Sequence, residues 1–501
     1  MIYKLTLLFH IDVYLYTFFN IMYVKVVTLG LYILDWKGLQ RDIQRPSFSV
    51  LAANKKILQH VFNVLDHVGF SYVNDSVNEN WSLLWAHEYP FNKENSHVFG
   101  KMKPFQKVNK IPGLTYLTNK ILLVTSGHQA IPKAFRIPQQ LSELQKYSKR
   151  YPKTMFVHKN AQHRGIEIQT VEDLLSRQED KEESFAQVYV PNPLLIDGYK
   201  FDIGVYIMIS SISPLRAYVY EGDAQFRFCT KKYYPFNPKD KGKYVVGGSF
   251  RPIWKVPSLA RLYNELGYTR REIFNYHLRK HGKDPKEIWD KIYSISRNVI
   301  LKHVENISKV AEKYKYPNSF FELVRFDFIL DSDYKVYLME INMSPNLSSS
   351  HYPQQALMYE QVIYNLLRLV NVARGGIVSD SLKIRSKEED AMQASEKDII
   401  VGSPEVCSSM QCLNQEGCNK VECYFCRKCL SSRELTFLHS SYLEHYNKHA
   451  CTRLIPKPFN SIEKARIAKL NATYNVNLSP ENMKMHQWFQ EKCLKNEKWC
   501  E

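Results

Sequence analysis

Cysteine is nearly absent from the first 400 residues of this 501-residue chain, where Cys229 is the single example. The other nine cysteines all follow residue 400. A secreted protein held together by disulfides would not normally leave so long a stretch almost free of cysteine. We therefore expect a reducing compartment for the body of the chain.

Acidic residues are scarce between residues 231 and 283, where 13 lysines and arginines accompany only 3 aspartates and glutamates. Such a basic patch favours a polyanionic partner, either a nucleic acid or an acidic protein tail, although a solvated face without a partner has the same composition. The sequence has no internal repeat and no recognisable nucleic-acid module, and its tyrosines and phenylalanines fall at core spacing. We therefore expect no nucleic-acid partner.

Long apolar runs are missing apart from residues 13–34, which are long enough to cross a bilayer. Lys25 interrupts the run and makes its insertion into a membrane less favourable by about 3 kcal/mol. The favourable insertion free energy of about a dozen apolar residues outweighs this cost only narrowly. If the run spans a membrane, the basic residues Lys37, Arg41 and Arg45 behind it leave the body in the cytosol. We expect a cytoplasmic or cytoskeletal protein, with a membrane anchor at 13–34 as an open alternative.

Polar residues interrupt two strand-like runs in FFELVRFDFILDSDYKVYLMEINMSP. With a four-residue turn, the alternation places Asp331 opposite Val336 and Asp327 opposite Glu340. Directly opposed carboxylates lie about 5 Å apart at Cβ and repel unless a proton or a cation lies between them. Asn342 shares their face, and oxygen donors of this kind are what Mg²⁺ prefers. The alternative is an ordinary hairpin with solvent-facing acids.

Two further segments combine strands with charged residues. In YKFDIGVYIMISS, Lys200 and Asp202 share one face of a strand whose other face is apolar, as a functional pair or as a satisfied ion pair. The strand MFVHK ends at Lys159 and precedes a polar loop, an arrangement that suits phosphate binding because loop N–H groups and an ammonium both face the anion.

Together these segments resemble the tubulin–tyrosine ligase-like family, ATP-grasp enzymes that join an amino acid to a protein carboxylate. The similarity rests on FELxxxDFxxD with VYLMEIN.SP, on SFAQVYVPNPLL and on the Lys-Phe-Asp of the long strand. It implies an α/β (α+β) ATP-grasp fold with N-terminal, central and C-terminal subdomains. We assign residues 48–372 to this catalytic domain, 1–47 to a hydrophobic N-terminal segment, 373–405 to a linker and 406–501 to a Cys/His-rich basic tail.

The resemblance also implies the site residues. Asp327, Glu340 and Asn342 would hold the Mg²⁺ of Mg-ATP. Lys200, Asp202 and Arg227 would carry the chemistry, with Arg227 near the acyl-phosphate. The residues implied in ATP binding are Lys120, Lys159, Arg164, Gly165, Gln187, Tyr189, Val190, Lys200 and Asp202.

Three positions depart from the family pattern. Gly204 stands where the family has the arginine that grips the incoming amino acid, Asn160 replaces a proline, and Glu167 stands at the second glycine of the phosphate loop. A glycine weakens a strand and supplies no charge. The departures therefore bear on the choice of amino acid and on activity itself.

The tail concentrates the cysteines between Cys407 and Cys429. The spacing Cys423-x2-Cys426-x2-Cys429 offers thiolates to a structural Zn²⁺, although it matches no standard zinc finger. Disulfides, which would put this end in an oxidising space, and free thiols are the alternatives that the spacing leaves open.

The function implied by the resemblance is an ATP-dependent ligase of the tubulin polyglutamylase kind. It would add an amino acid, glutamate in the first place, to glutamate side chains of the acidic C-terminal tails of tubulin and microtubules through an acyl-phosphate. Gly204 and Glu167 motivate a first alternative, a pseudo-ligase that binds tubulin without ligating. The second alternative is a nucleic-acid-binding protein that uses the basic stretch.

Overall fold

The computed structural model of the protein describes residues 45–74, 81–160, 166–176, 183–373, 394–414, 416–470 and 478–501. The apolar run at 13–34 lies outside these ranges. Within the described ranges, no helix is long and apolar enough to cross a membrane.

The structure combines sheets with helices in the mixed α/β arrangement that the resemblance implied. The strands are β1 (Ser47–Leu51), β2 (Ser71–Tyr72), β3 (Leu83–Ala86), β4 (Lys107–Val108), β5 (Ala134–Ile137), β6 (Phe156–Asn160), β7 (Glu167–Gln169), β8 (Ser184–Val188), β9 (Leu195–Ile196), β10 (Tyr199–Ile212), β11 (Leu215–Tyr220), β12 (Gln225–Phe228), β13 (Arg251–Pro252), β14 (Glu322–Leu330), β15 (Val336–Asn342) and β16 (Cys451–Ile455).

The helices lie between and after these strands. They are α1 (Gln59–His67), α2 (Ser96–Gly100), α3 (Thr115–Thr118), α4 (Lys120–Val124), α5 (Leu141–Arg150), α6 (Val171–Leu175), α7 (Pro257–Asn264), α8 (Arg270–Lys280), α9 (Pro285–Ala311), α10 (Ala356–Leu369), α11 (Glu396–Ile399), α12 (Pro404–Cys407), α13 (Met410–Leu413), α14 (Ser432–Asn447), α15 (Ile462–Leu470) and α16 (Pro480–Lys495).

Strand β10 is the spine of the largest sheet. It pairs with β14 along one edge, and along the other edge it pairs with β12 at its start and with β11 at its end. In the sequence, PLRAYVYEGDAQFRF predicts a β-hairpin that turns at Glu-Gly-Asp. This prediction is wrong, because β11 and β12 each bond to β10 and do not pair with each other. This topology brings β12, β10 and β14 side by side at one end of the sheet.

Both faces of β10 are buried, but in different surroundings. Phe201, Ile203 and Val205 belong to a core that includes residues of the long helix α9. Tyr206 and Met208, on the opposite face, join a second core with the closing helix α10. The polar residues Lys200 and Asp202 share that second face nearer the start of the strand, where the face supplies a site.

Two four-stranded sheets are formed by strands that precede this large sheet in the sequence. The strands β2, β1, β3 and β4 form a parallel sheet. The strands β5, β8, β6 and β7 form an antiparallel sheet.

In the basic stretch, residues 231–283, the sequence RLYNELGYTRREIFNYHLRKHG predicts a helical run, and the structure divides it into two helices. Helix α7 ends at Asn264, and Gly267 adopts φ +69°, a left-handed conformation that glycine accepts at little cost. Thr269 then caps α8 through a reciprocal pair of hydrogen bonds with Glu272. The turn between the helices is therefore encoded locally.

The cysteine-rich tail adds a strand to the largest sheet. Strand β16 pairs with β11, and Arg216 on β11 donates from Nε and Nη2 to the buried Glu444 of α14, over 2.9 and 3.0 Å. The tail and the body are therefore joined by a sheet ladder and a buried ion pair.

Eight tail cysteines form disulfides, which is one of the alternatives that the spacing left open. The pairs are Cys407–Cys426, Cys412–Cys423, Cys418–Cys429 and Cys493–Cys500. Their thiolates are consequently not available as zinc ligands, and the described residues contain no cluster of three or more His, Cys, Asp or Glu side chains suited to a metal. Cys229 and Cys451 remain as buried thiols.

Candidate active site

The site lies on one face of three adjacent strands, and the sheet register decides which side chains meet. Asp202 on β10 pairs with Arg227 on β12, and Gly204 pairs with Asp327 on β14. Paired residues point to the same face of a sheet. The register therefore collects charged residues from strands that lie up to 125 positions apart in the chain.

The predicted opposition of Asp327 and Glu340 is confirmed by the β14–β15 register. The predicted turn is wrong by one residue, because Leu330 and not Asp331 pairs with Val336. A bulge between the Asp327 and Phe328 pairs restores the register at the site. Asp331 instead caps the turn, accepting hydrogen bonds from turn amides.

A single amide joins the two carboxylates. Asn342 Nδ2 donates to Asp327 Oδ2 over 2.8 Å and to Glu340 Oε1 over 3.1 Å. An amide rotated by half a turn would present its oxygen instead, which makes three oxygen donors around one point. This donor chemistry fits a Mg²⁺ ion.

Two lysines act on Glu340. Lys120 Nζ lies 3.2 Å from Glu340 Oε2, and it is held there because Asn119 caps the N-terminus of α4 through Leu122 N–H. Burial by itself would raise the pKa of Glu340, but Lys120 and Lys159 outweigh it and hold that pKa well below its ordinary value. Burial lowers the pKa of Lys159 to about 8. An anion beside these lysines would favour their charged forms.

Arg227 bridges two carboxylates. Its Nε and Nη2 donate to Asp202 over 2.9 and 2.7 Å, and Nη2 also donates to Asp327 Oδ2 over 2.8 Å. Burial raises the pKa of Asp202, and the Arg227 guanidinium opposes that shift. Arg227 thus connects the predicted residue Asp202 to Asp327, one of the predicted metal ligands.

Three of the residues implied in ATP binding, Gln187, Tyr189 and Val190, lie on or just after β8. Gln187 is buried and donates to the Pro132 carbonyl, while Tyr189 bonds through its hydroxyl to Tyr233 over 2.8 Å. Lys200 connects this region to the site, since Nζ donates to the Tyr244 carbonyl and lies 5.3 Å from the Tyr189 ring centroid. Val190 is buried beside them.

The phosphate-loop residues Arg164 and Gly165 lie outside the described residues. Glu167, which departs from the family pattern, begins β7 and forms an exposed ion pair with Lys241 at 3.6 Å. Its charge is thus partly neutralised by the basic stretch.

Comparisons with known proteins agree with this geometry. Residues 100–376, more than half of the chain, match the sequence model of the Tubulin-tyrosine ligase family. The chain belongs to the tubulin-tyrosine ligase family. That family is ATP-grasp-like, so the fold class expected from the sequence is confirmed.

Members of the family with curated names include a "Probable tubulin polyglutamylase ttll-15" of Caenorhabditis elegans, 31% identical over 92% of this chain and 87% of the worm protein. "Tubulin polyglutamylase TTLL6" of Mus musculus is 28% identical over 59% of this chain and 37% of its own length. "Tubulin monoglutamylase TTLL4" of Homo sapiens is 27% identical over 58% and 25%. The chain therefore spans most of the worm relative but well under half of the two mammalian ones.

One site residue of this family member was missed at the level of sequence. Arg325 is buried on β14 and donates from Nε and Nη2 to the two oxygens of Asp327, over 2.6 and 2.8 Å. The available signal was its position two residues before Asp327, on the same strand face. Among the tubulin-tyrosine ligase family motifs quoted above, position 325 falls on an unspecified residue, which is why it drew no attention.

Proposed function

We propose that this protein is an ATP-dependent ligase that attaches an amino acid, glutamate in the first place, to glutamate side chains of an acidic protein tail. The tubulin C-terminal tail is the first candidate for the acceptor, and the cytoskeleton is then the place of action. The observation that carries the proposal is the opposed pair Asp327 and Glu340, ringed by Lys120, Lys159 and Arg227. The relatives' names, which describe tubulin glutamylases, support the same acceptor and amino acid.

The reaction proposed has two steps. An oxygen of the acceptor carboxylate bonds to the γ-phosphorus of ATP while the bond to the β–γ bridging oxygen breaks and ADP leaves. The amine nitrogen of the free amino acid then bonds to the acyl carbon, the carbon–oxygen bond to the phosphate breaks, and the proton lost by the amine passes to the departing phosphate. The products are an amide, ADP and phosphate.

The residues of the site would act on the charges in these steps. Lys120, Lys159 and Lys200 would stabilise the phosphate oxygens, and Arg227 would stabilise the acyl-phosphate. Mg²⁺ at Asp327, Glu340 and Asn342 would supply further neutralisation of phosphate charge. Fixed cations of this kind stabilise the charge that develops without having to reorganise.

The surface beside the site supports an acidic acceptor. Arg270 and Arg271 are occupied by ion pairs with Asp223 and Glu221, so they anchor α8 to the body. Nine other cations of the basic stretch are exposed. They are Lys231, Lys232, Lys239, Lys241, Lys255, Arg261, Arg279, Lys280 and Lys283.

The test is incorporation of labelled glutamate, glycine and tyrosine into purified tubulin with Mg-ATP. We expect transfer by the wild type and a loss of at least about 100-fold in Glu340→Gln, because a neutral amide loses the charge that a metal ion and two lysines require. Glu305→Gln, which changes an exposed helix carboxylate, is the matched control and should transfer normally.

Full turnover in Glu340→Gln would refute the assigned site. Binding of tubulin and ATP without transfer of any of the three amino acids would identify the pseudo-ligase instead.

A further inference from the structure

The side chain of Arg325 occupies the space above Gly204. A Cβ placed on residue 204 would lie 2.8 Å from Arg325 Cδ, 3.1 Å from its Nε and 3.1 Å from Gln225 Cβ. The 2.8 Å contact is one that real Cβ atoms essentially never make, and the two 3.1 Å contacts are tight. A side chain at residue 204 would therefore require Arg325 to shift, and the glycine leaves room for the arginine stem at its present position. Gly204 and Arg325 are therefore complementary, because the missing side chain of one leaves the space that the other occupies.

Two buried polar atoms next to this arrangement have no hydrogen-bond partner among the residues that the structure describes. They are Tyr206 Oη and Gln225 Oε1, on side chains that are 0% and 2% exposed. The register places Gln225 beside Gly204 and Tyr206 beside Arg325. Leaving a buried polar atom unpaired is unfavourable because its lost hydration is not replaced, which indicates a partner that binds there.

The donor and acceptor roles of the two atoms and of the guanidinium together specify which groups a ligand must carry. Arg325 supplies a planar positive fork, Tyr206 can supply one O–H donor, and Gln225 Oε1 can only accept. A ligand that meets all three carries a carboxylate and an N–H donor. A free amino acid has both groups on one carbon.

We propose that Arg325, Tyr206 and Gln225 form the binding site for the amino acid that is transferred. Arg325 and Tyr206 hold its carboxylate, and Gln225 Oε1 accepts a hydrogen bond from its amine. This inference rests on the proposed ligase function and names the residues that bind the amino-acid substrate. It assigns the arginine of that site to β14, since β10 has a glycine at position 204.

Arg325 is shared with Asp327, and this makes the binding of the two ligands interdependent. Asp327 accepts hydrogen bonds from Arg325, Arg227 and Asn342 in the structure. A divalent cation held by Asp327 and Glu340 would draw on the same carboxylate charge and leave Arg325 to a second anion. The amino acid should therefore bind more tightly with Mg²⁺ and nucleotide present than without them.

The test measures binding without turnover. L-Glutamate is titrated calorimetrically into the full chain with Mg²⁺ and adenylyl imidodiphosphate, a non-hydrolysable ATP analogue. We expect Arg325→Ala to raise the Kd for glutamate about 10- to 100-fold, and Tyr206→Phe to raise it about 3- to 10-fold, while the Kd for the analogue changes less than about threefold. Arg466→Ala, which removes an exposed arginine of α15 outside the site and the basic stretch, should leave both values unchanged.

A swapped variant guards against simple misfolding. Gly204→Arg alone should bind glutamate poorly because two arginine stems compete for one space. Gly204→Arg with Arg325→Gly returns one guanidinium to the same row of the sheet beside Asp327, and its Kd should recover to within about fivefold of the wild type. Thermal melting of every variant reports whether the fold is intact.

An unchanged glutamate Kd in Arg325→Ala, or an equal loss of nucleotide affinity, would show that Arg325 only holds Asp327 and would overturn the inference. So would the absence of glutamate, glycine and tyrosine binding in the wild type, or a swapped variant no better than Arg325→Gly. Transfer to tubulin with an unaltered KM for the amino acid in Arg325→Ala would overturn this inference and leave the ligase function standing. Binding that depends on Arg325 without any transfer would do the reverse.

Discussion

Lys159 is a single buried charge on which the proposed binding of a nucleotide would depend. Its pKa is lowered from 10.5 to about 8, first by burial and then by the neighbouring Lys120 and Lys200, while Glu340 opposes the shift. The ammonium is thus present at pH 7 and lost as the pH rises through 8. Phosphate binding favours the charged form, so above pH 8 the bound state takes up a proton.

We expect the affinity for the ATP analogue to fall as the pH rises from 7 to 9, by at most about tenfold per unit above pH 8. Lys159→Arg, which stays charged throughout, should flatten this profile. Calorimetric titrations across the pH range provide the measurement, and Lys335→Arg, at an exposed turn position, should keep the wild-type slope. A wild-type affinity that does not vary over this range would contradict the assignment of Lys159 to the phosphates.

Arg325 and Gly204 illustrate a second feature at the scale of residues. The long strand lacks an arginine at position 204, which from the sequence alone weighs against amino-acid binding. In the folded chain a guanidinium occupies that space from the neighbouring strand. A charge that is missing from one strand is therefore not missing from the site.

At the scale of elements, the predicted register of the β14–β15 hairpin differs from the structure at two places, and the two differences compensate at Asp327 and Glu340. The turn is one residue longer than the alternation predicted. Between the Asp327 and Phe328 pairs, the bulge adds one unpaired residue to β15. Side-chain direction has a period of two, so the two shifts together return Glu340 to the face of Asp327. Turn length and bulges depend on local geometry that alternation does not report.

The disulfides of the tail lead to a prediction about local stability. Cys412 and Cys423 are 11 positions apart and lie inside the loop closed by Cys407 and Cys426. Replacing both by serine should destabilise the segment 407–429 by about 2 kcal/mol. Without this crosslink the unfolded segment has more conformational entropy, which favours its unfolding. Strand β16 should be unaffected, since its ladder and the Arg216–Glu444 pair do not involve this segment.

Hydrogen exchange followed by mass spectrometry checks this prediction. Amides of 407–429 should exchange about 30-fold faster in the double variant, whereas those of β16 keep their wild-type rates. Cys493→Ser with Cys500→Ser is the matched control and should move the effect to the end of the chain. Faster exchange in β16 would mean that the tail and the sheet open together.

At the scale of the whole molecule, the charge distribution would govern the encounter with the proposed acidic acceptor. Exposed cations separated from their partner by less than a Debye length, about 10 Å at 0.1 M salt, attract it in a salt-dependent way. Lys231, Lys232 and Lys239 are exposed near the start of the basic stretch. They are suitable for testing this attraction because none of them is a predicted site residue.

We expect Lys231→Ala, Lys232→Ala and Lys239→Ala together to raise the KM for tubulin about tenfold at low ionic strength, with kcat little changed. The difference should shrink as salt is added. Removing the same charge at the exposed Lys146, Lys149 and Lys153 controls for net charge. Equal effects of the two triple variants, measured by labelled amino-acid incorporation, would argue against a localised docking surface.

The sequence by itself determined the family, the mixed fold and the two acids at the centre of the site. These follow from short-range patterns, because strand alternation and motif spacing are properties of neighbouring residues. It also determined the basic stretch and the split between a body poor in cysteine and a tail rich in it. For the tail chemistry it left three alternatives, since spacing does not report which sulfurs meet.

Only the tertiary structure decided the rest. Arg325 reaches the space above Gly204 because β10 and β14 are adjacent in the sheet although 121 positions separate the two residues. The cysteines pair because the folded tail brings their Cα atoms to within 4.6–5.4 Å. Strand β16 joins the body because β11 offers it a free edge. Each of these depends on contacts between distant segments, which are set by the packing of the whole chain.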